Sequence, residues 1–419
     1  MAFPPGFLWG TATSSHQVEG DNRNNDWWEW EEQTGRIYAG QRSGEACDHY
    51  HRFLEDIEMM AALGLNAYRF SLEWSRLEPG PDQFSTPAID HYGEMIAALK
   101  ARGIEPVVTL HHFTIPRWLK EAGGFLNPEV VSLFDRYTKE VARALGKEVT
   151  YWVTINEPMV LATQGFLLGL WPPGHKNLAE TLKVARHLLL AHGRSYRRLK
   201  EAHPGALVGL AKHYRIIDPL RSTSWLDRLS ARLLDYIFNW AFTDSAERGR
   251  LKVPFGWGQG VNDLAGTQDF MGVNYYSRDM ISFDLRSPTT LFARMRVREG
   301  SETNDLGWEV YPEGLYRLLM ALKRYRKPIL ITENGISTGD DRQRERFLRE
   351  HLHQVERALG DGADVRGYFY WSLLDNFEWA EGYRARFGLL EVDFATQERM
   401  PRPSARLYGR LAKGYGEGA

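Results

Sequence analysis

The chain has 419 residues, 43% hydrophobic and 25% charged, the balance of an ordinary soluble globular protein. Its formal net charge of −2 offers no electrostatic footprint for nucleic acid or an anionic membrane. A single cysteine, Cys47, excludes an internal disulfide framework and reads as a small inert hydrophobe. The segment Met1–Gly6 has no basic region leading into an apolar run, and no stretch approaches ~18 apolar residues, so a cytoplasmic protein without a membrane partner is expected. Length alone would allow two or three domains. Barrels of about 250 to more than 400 residues exist as one, however, and one catalytic domain over residues 1–419 is expected here. Aromatic residues make up 13% of the chain, with 14 Trp, and large flat faces suit the apolar C–H surfaces of sugar rings.

In chain order the strand-like runs are Phe7–Thr13, Ala67–Ser71, Glu105–His112, Thr150–Glu157, Leu207–His213, Phe270–Tyr276, Ile329–Glu333 and Val365–Ser372. Helix-length segments lie between them. In His49–Leu63 the apolar Phe53, Ile57, Met60 and Leu63 recur at helical spacing on one face. Thr86–Arg102, Asn127–Leu145, Leu178–Ala202, Pro312–Tyr325 and Arg342–Leu359 are read the same way. Eight alternations of strand and helix predict a parallel sheet closed into a (β/α)8 TIM barrel, α/β in class, with extended loops at its C-terminal face. Ser277–Trp308 is long, polar and aperiodic, and is expected to be a binding loop at the rim.

Polar residues gather at the strand exits, where parallel barrels do their chemistry. Ile329-Leu-Ile is a short apolar run that stops on Thr332-Glu-Asn334, with Gly335 expected to free the backbone for a turn. Tyr151-Trp-Val-Thr-Ile-Asn-Glu157 is built alike, and Pro158 prevents its continuation. Taken singly, each has a bland account: Asn334-Gly335 a solvated turn, Glu157 and Pro158 a helix start. His16-Gln17, Arg69, His111-His112, Asn274-Tyr-Tyr276, Trp371-Ser372 and Asp375–Trp379 stand at the other ends, and their joint placement is what the bland accounts leave unexplained.

Two carboxylates, an arginine, amides, a histidine and aromatic faces, with no nucleotide motif, fit glycoside hydrolysis. Acetal cleavage needs one acid to protonate the leaving oxygen and a second group on the other side of the anomeric carbon. A carboxylate beside Arg69 and a tyrosine hydroxyl is expected to stay ionised, and its partner acid to be raised in pKa. A metal-dependent barrel hydrolase or isomerase using His111, His112, Glu157 and Glu333 as ligands is the rival enzyme reading. A non-catalytic sugar-binding barrel is the other, though it would not need two opposed acids.

These motifs resemble those of the family 1 glycoside hydrolases, retaining β-glucosidases and β-galactosidases on a (β/α)8 barrel. The resemblance runs from Phe7-Leu-Trp-Gly10 to Arg386-Phe-Gly388. Thr154-Ile-Asn-Glu-Pro158 is similar to the acid/base signature and Ile331-Thr-Glu-Asn-Gly335 to the nucleophile signature. The resemblance implies Glu157 as acid/base and Glu333 as nucleophile, with no cofactor and no metal. It implies sugar binding by Gln17, His112, Asn156, Trp371, Glu378 and Trp379, support of the nucleophile by Arg69, Asn274 and Tyr276, and Trp308 on the aglycone side. It implies exo cleavage of short soluble β-glycosides, glucosides first, with β-galactosides, β-fucosides or β-mannosides as alternatives. His112-Phe-Thr-Ile-Pro116 and Asp26-Trp-Trp-Glu-Trp30 are closer to the archaeal and related bacterial branch. Glu378 stands where 6-phosphoglycosidases tend to carry Ser, and a charged acid there is expected to repel a phosphate.

Overall fold

The structure, a computed structural model, describes residues 3–416. The strands of the main sheet are β1 (Leu8–Ala12), β2 (Ala67–Ser71), β3 (Glu105–His111), β4 (Tyr151–Asn156), β5 (Leu207–Pro219), β6 (Phe270–Phe283), β7 (Ala293–Arg296), β8 (Ile329–Asn334) and β9 (Val365–Trp371). All but β7 are parallel to their neighbours. The ring runs β1-β2-β3-β4-β5-β6-β8-β9, closed by the pairing of β9 with β1, so β5 lies across the barrel from β1. This is the (β/α)8 barrel that the alternating pattern predicts.

The outer layer is α1 (His49–Leu63), α2 (Thr86–Ala101), α3 (Val130–Leu145), α4 (Leu178–Ala202), α5 (Trp225–Asp235), α6 (Ala241–Arg248), α7 (Pro312–Leu322), α8 (Asp341–Gly360) and α9 (Pro403–Gly416). In α1 the spacing of Phe53, Ile57 and Met60 turns all three inward, where they are buried. Each such side chain contributes about 1.5–3 kcal/mol relative to staying exposed. α1 and α4 have the bounds that periodicity predicts. α5, α6 and α9 carry no expectation from the sequence. Among the described residues no helix is long and apolar enough to cross a membrane.

Two apolar layers follow from alternation along the strands. Inside the barrel, Ala12, Ala67, Val107, Val153, Ala211, Phe270, Leu330 and Phe369 form one cluster, a residue from each strand. Alanines on β1, β2 and β5 leave room for the rings of Phe270 and Phe369. Gly10 is needed for the same reason, since a Cβ there would sit 2.5 Å from the Phe369 ring. Above this plug the inward positions become polar, beginning with Arg69 two residues after Ala67.

The sheet departs from regular register where it carries those polar residues. Shifts fall between Val153 and Asn156, between Tyr214 and Ile216, between Val273 and Asn274, and between Ile331 and Asn334. Irregularities of this kind re-aim side chains beside functional sites. At the end of β4 the result is that Thr154 binds His192 of α4 through Nδ1 at 2.7 Å, while Asn156 and Glu157 face the mouth.

Two expectations are corrected. The segment after Tyr276 is not simply a loop: β6 continues to Phe283 and pairs antiparallel with β7, a hairpin standing on the rim. Polar residues in buried positions, Ser277, Arg278, Asp279 and Ser282, hid it. Gly335 is not required for a left-handed turn; it is required for space, because a Cβ there would lie 1.8 Å from the Trp371 carbonyl oxygen. Gly335→Ala is therefore expected to push β8 and β9 apart at the site, lowering stability by roughly 1–3 kcal/mol with loss of activity. Thermal unfolding and turnover measured on one preparation check this.

Candidate active site

Arg69 stands at the centre of the mouth with its side chain 1% exposed. Its Nη1 donates to Glu333 Oε1 at 2.5 Å and to the Thr332 carbonyl at 3.2 Å. Its Nη2 donates to Asn156 Oδ1 at 2.7 Å and its Nε to Thr109 Oγ1 at 3.1 Å. One planar guanidinium thus ties β2, β3, β4 and β8 together. The Tyr276 hydroxyl donates to the other oxygen of Glu333 at 2.6 Å. Asn274 Nδ2 donates to Glu157 Oε1 at 2.8 Å and to Asn156 Oδ1 at 3.1 Å, and Thr332 Oγ1 fixes its own oxygen at 2.6 Å.

Glu157 follows β4 with a left-handed backbone, φ 44° and ψ 56°, and heads the short helix Pro158–Ala162. A non-glycine residue held there is strained, and such strain collects at functional sites. Proline at the next position supplies the helix's first residue without a missed donor.

The polar wall is built from β1, β3 and β9. Gln17, fully buried, donates through Nε2 to Glu378 Oε2 and to Asn376 Oδ1, both at 3.0 Å. The Ser14 hydroxyl donates to its oxygen at 2.6 Å, which sets the amide's orientation. His112 Nε2 accepts from Asn156 Nδ2 at 3.0 Å. Its ring lies nearly parallel to those of Trp371 and Trp379, with centroids 5.9 and 6.1 Å away. Phe113 closes the corner against Trp171 and Trp379. His111 does not join this group. It packs edge-on against Phe125 and Phe134, away from the mouth, so the four groups of the metal reading do not converge.

Across the mouth, β5, the helix after Glu157, α5 and the β6–β7 hairpin make a different wall. The cavity of about 450 Å³ is bounded there by Met159, Leu167, Leu168, Ile217, Leu234, Ile237, Phe238, Leu291 and Met295. Trp308 borders the same cavity, with its ring 6.0 Å from Tyr276.

The carboxyls differ from the expected electrostatics. Burial pushes Glu333 up to about 7, aided by the charge of Glu157, against the cation of Arg69 and the Tyr276 hydroxyl. Burial also raises Glu157, but His213, Asn274 and Lys212 outweigh it and leave this acid below its ordinary value. The directions are thus Glu333 up and Glu157 down, against the expectation that the carboxyl beside Arg69 and a tyrosine is the lower of the two. Glu378 is pushed up to about 8 by burial and then by Glu333. The amide of Gln17 opposes that rise by donating to the carboxyl. His112 is held neutral by burial and by Arg69.

The chain matches the Glycosyl hydrolase family 1 profile over residues 1–417. It belongs to glycosyl hydrolase family 1. This family 1 chain is 35% identical to beta-glucosidase A of Acetivibrio thermocellus, the match covering 99% of each chain. Among solved structures, a beta-glycosidase from Pyrococcus horikoshii superposes with a TM-score of 0.92 at 44% identity, covering 99% of this chain and 98% of the other. The beta-glucosidase from Thermotoga maritima in complex with glucoimidazole gives 0.94 at 33% identity, with 99% of both chains covered.

All ten substrate-binding and supporting residues singled out in the sequence, Gln17, Arg69, His112, Asn156, Asn274, Tyr276, Trp308, Trp371, Glu378 and Trp379, reach this mouth together with Glu157 and Glu333. His213 and Trp171 line it too, and Asn376 holds Gln17 from behind; the sequence reading names none of the three as a site residue. His213 ends the predicted fifth strand, so the strand-exit rule could have found it. Trp171 lies in an aperiodic stretch with no such signal.

If Arg69 supports ionised Glu333, Arg69→Met should cut kcat/KM by about 10–100-fold, the worth of a hydrogen bond to a charged group. The cation favours the carboxylate, so its removal raises the Glu333 pKa and moves the acidic limb of the pH–rate profile to higher pH. Initial rates between pH 4 and 9 check both.

Proposed function

We propose that this family 1 enzyme is an exo-acting retaining β-glucosidase in which Glu333 is the nucleophile and Glu157 the acid/base. The observation that carries this is the division of labour between the two buried carboxyls. Glu333 has both oxygens engaged by fixed donors, Arg69 and Tyr276, which orient it for attack and stabilise its charge. Glu157 has one oxygen engaged and one free of partners among the described residues, as proton transfer to a departing oxygen requires.

In the first step Glu333 attacks the anomeric carbon and the bond to the leaving oxygen breaks, that oxygen taking its proton from Glu157. That proton must therefore stand on Glu157 in the productive complex. In the second step Glu157 takes a proton from water, which displaces Glu333 and releases the sugar as its β-anomer. Esterification of Glu333 removes the charge that raises Glu157, which suits Glu157 to act as base.

Gln17, Glu378, Trp379, His112 and Trp371 are the proposed sugar-reading set, closing the cleft behind the non-reducing end. Glu378 can bond an equatorial or an axial 4-hydroxyl, so β-galactosides are proposed as secondary substrates. Across the mouth, the wall is mainly apolar but also carries Thr163, Gln164, Arg215, Asp279 and Thr290, so the proposed leaving groups are alkyl or aryl alcohols or the next sugar of a short oligosaccharide. We place the action of residues 1–419 in a single catalytic domain and in a reducing cytoplasm, consistent with the one buried Cys47.

An NMR time course with a β-glucoside should give the β-anomer first; the α-anomer first would overturn the retaining reading. Glu157→Ala should slow alkyl glucosides by several powers of ten more than a dinitrophenyl glucoside, whose leaving group needs no proton, and azide should yield a β-glycosyl azide. Along a series of alkyl β-glucosides, kcat/KM should rise by up to roughly fourfold per methylene until the apolar wall is filled, from about 0.8 kcal/mol per buried CH₂. A flat series would contradict the assignment of that wall.

A further inference from the structure

His213 is placed where nothing in the two-step scheme requires a residue. Its Nδ1 lies 3.1 Å from Glu157 Oε1, the same oxygen that accepts from Asn274 Nδ2 at 2.8 Å. Since Oε1 already serves as an acceptor, Nδ1–H is the consistent donor. The ring cannot turn away freely: it stacks on Tyr276 at 5.8 Å with an 18° tilt and meets Phe238 edge-on at 6.0 Å. Tyr276 is in turn bonded to Glu333, so one stack of two rings connects the two carboxyls.

We propose that His213 is a positioning residue for the acid/base: it holds Oε1 of Glu157 as an acceptor, so that the transferred proton travels on Oε2, and it favours the ionised form that the second step uses. The proposal rests on Glu157 being the acid/base. Two donors on one carboxylate oxygen stabilise the anion. Glu157 is then a readier base toward water and a more reluctant acid toward the leaving group. The enzyme gains in hydrolysis of the glycosyl-enzyme and loses at alkaline pH in its formation.

The other charged and titratable groups around this contact come from every neighbouring element. β5 supplies Lys212, buried, its Nζ donating to the His213 carbonyl at 2.5 Å and standing over Phe238, and also Arg215. β6 supplies Tyr276 and Asp279, the latter paired with Arg215 at 2.7 Å, and α5 supplies Asp235, whose charge acts on Lys212. Arg69, Glu333 and Glu378 face Glu157 from β2, β8 and the segment after β9. Lys212 also favours ionised Glu157, but through space and without a hydrogen bond, so the directional contact belongs to His213 and Asn274.

The test uses two variants of the full chain, each with its melting temperature measured. His213→Phe keeps the stacked ring and deletes the donor. His213→Asn keeps a donor, because an asparagine amide nitrogen can stand where Nδ1 stood. In His213→Phe the basic limb of kcat/KM for an alkyl glucoside should move up by about one pH unit. With a dinitrophenyl glucoside, whose second step is slow, kcat and KM should fall together by roughly tenfold as glycosyl-enzyme accumulates. His213→Asn should return both readouts most of the way to the parent. An unmoved basic limb in His213→Phe, or an equal loss for both leaving groups, would overturn the proposal and leave the ring as packing. A shifted profile that His213→Asn fails to restore would overturn it as well. If azide failed to rescue Glu157→Ala, the acid/base assignment itself would fall. Rescue there with an unmoved limb in His213→Phe sinks only the role of His213.

Discussion

The structure of the mouth depends on one buried cation. Arg69 sits wholly inside the protein, and a guanidinium removed from water is costly unless its donors are met. Each of its three nitrogens has a partner, on β3, β4 and β8, and one partner is the carboxylate of Glu333. A buried pair of this kind is weak evidence for stability. Apolar residues of similar volume often serve a fold as well or better. What an apolar replacement could not do is hold Glu333 and Asn156 at fixed positions across the barrel, with Asn156 in turn orienting His112 and sharing Asn274 with Glu157. The barrel plug beneath, with alanines at Ala12, Ala67 and Ala211, gives that cation a rigid floor.

From this constraint the electrostatics follow. Glu157, Glu333 and Glu378 are all buried; the charge of Glu157 raises Glu333, and those of Glu333 and Glu157 raise Glu378. With three carboxyls in one mouth, fixed donors set which of them holds charge most readily. Arg69 and Tyr276 serve Glu333, His213 and Asn274 serve Glu157, and Gln17 serves Glu378. A sugar that displaces water and brings hydroxyl donors to Glu378 would alter this balance, which is how binding can move the pair toward its productive protonation. Such dependence on preset dipoles is characteristic of catalysis by preorganised sites.

Much of this was legible in the sequence, for identifiable reasons. Buried parallel strands read as short β-branched and aromatic runs, so all eight barrel strands announce themselves, and their polar exits name most of the site. Less legible was anything set by the third dimension. β5 and β6 run on to Pro219 and Phe283, and β7 pairs back on β6, because those strands pair with each other at the rim, where polar residues such as Arg278 and Asp279 take buried positions. The order of the two carboxyls could not be read from residue types, because it depends on how completely Glu333 is buried and on which groups the β4–β5 seam brings against Glu157. Gly335 looked like a turn residue and proved to be a spacing residue, since the close approach of the Trp371 backbone comes from a strand distant in sequence.

The central claim is that Glu333 forms the covalent bond to the sugar, and peptide mapping tests it most directly. A dinitrophenyl 2-deoxy-2-fluoro-β-glucoside keeps an easy first step while the fluorine slows the second, so the glycosyl-enzyme should persist. The account predicts a mass gain of one fluoroglucosyl group, carried by the peptide that spans Ile331-Thr-Glu-Asn-Gly335 and located on Glu333. Label on Glu157 or on any other residue, or inactivation with no added mass, would contradict it.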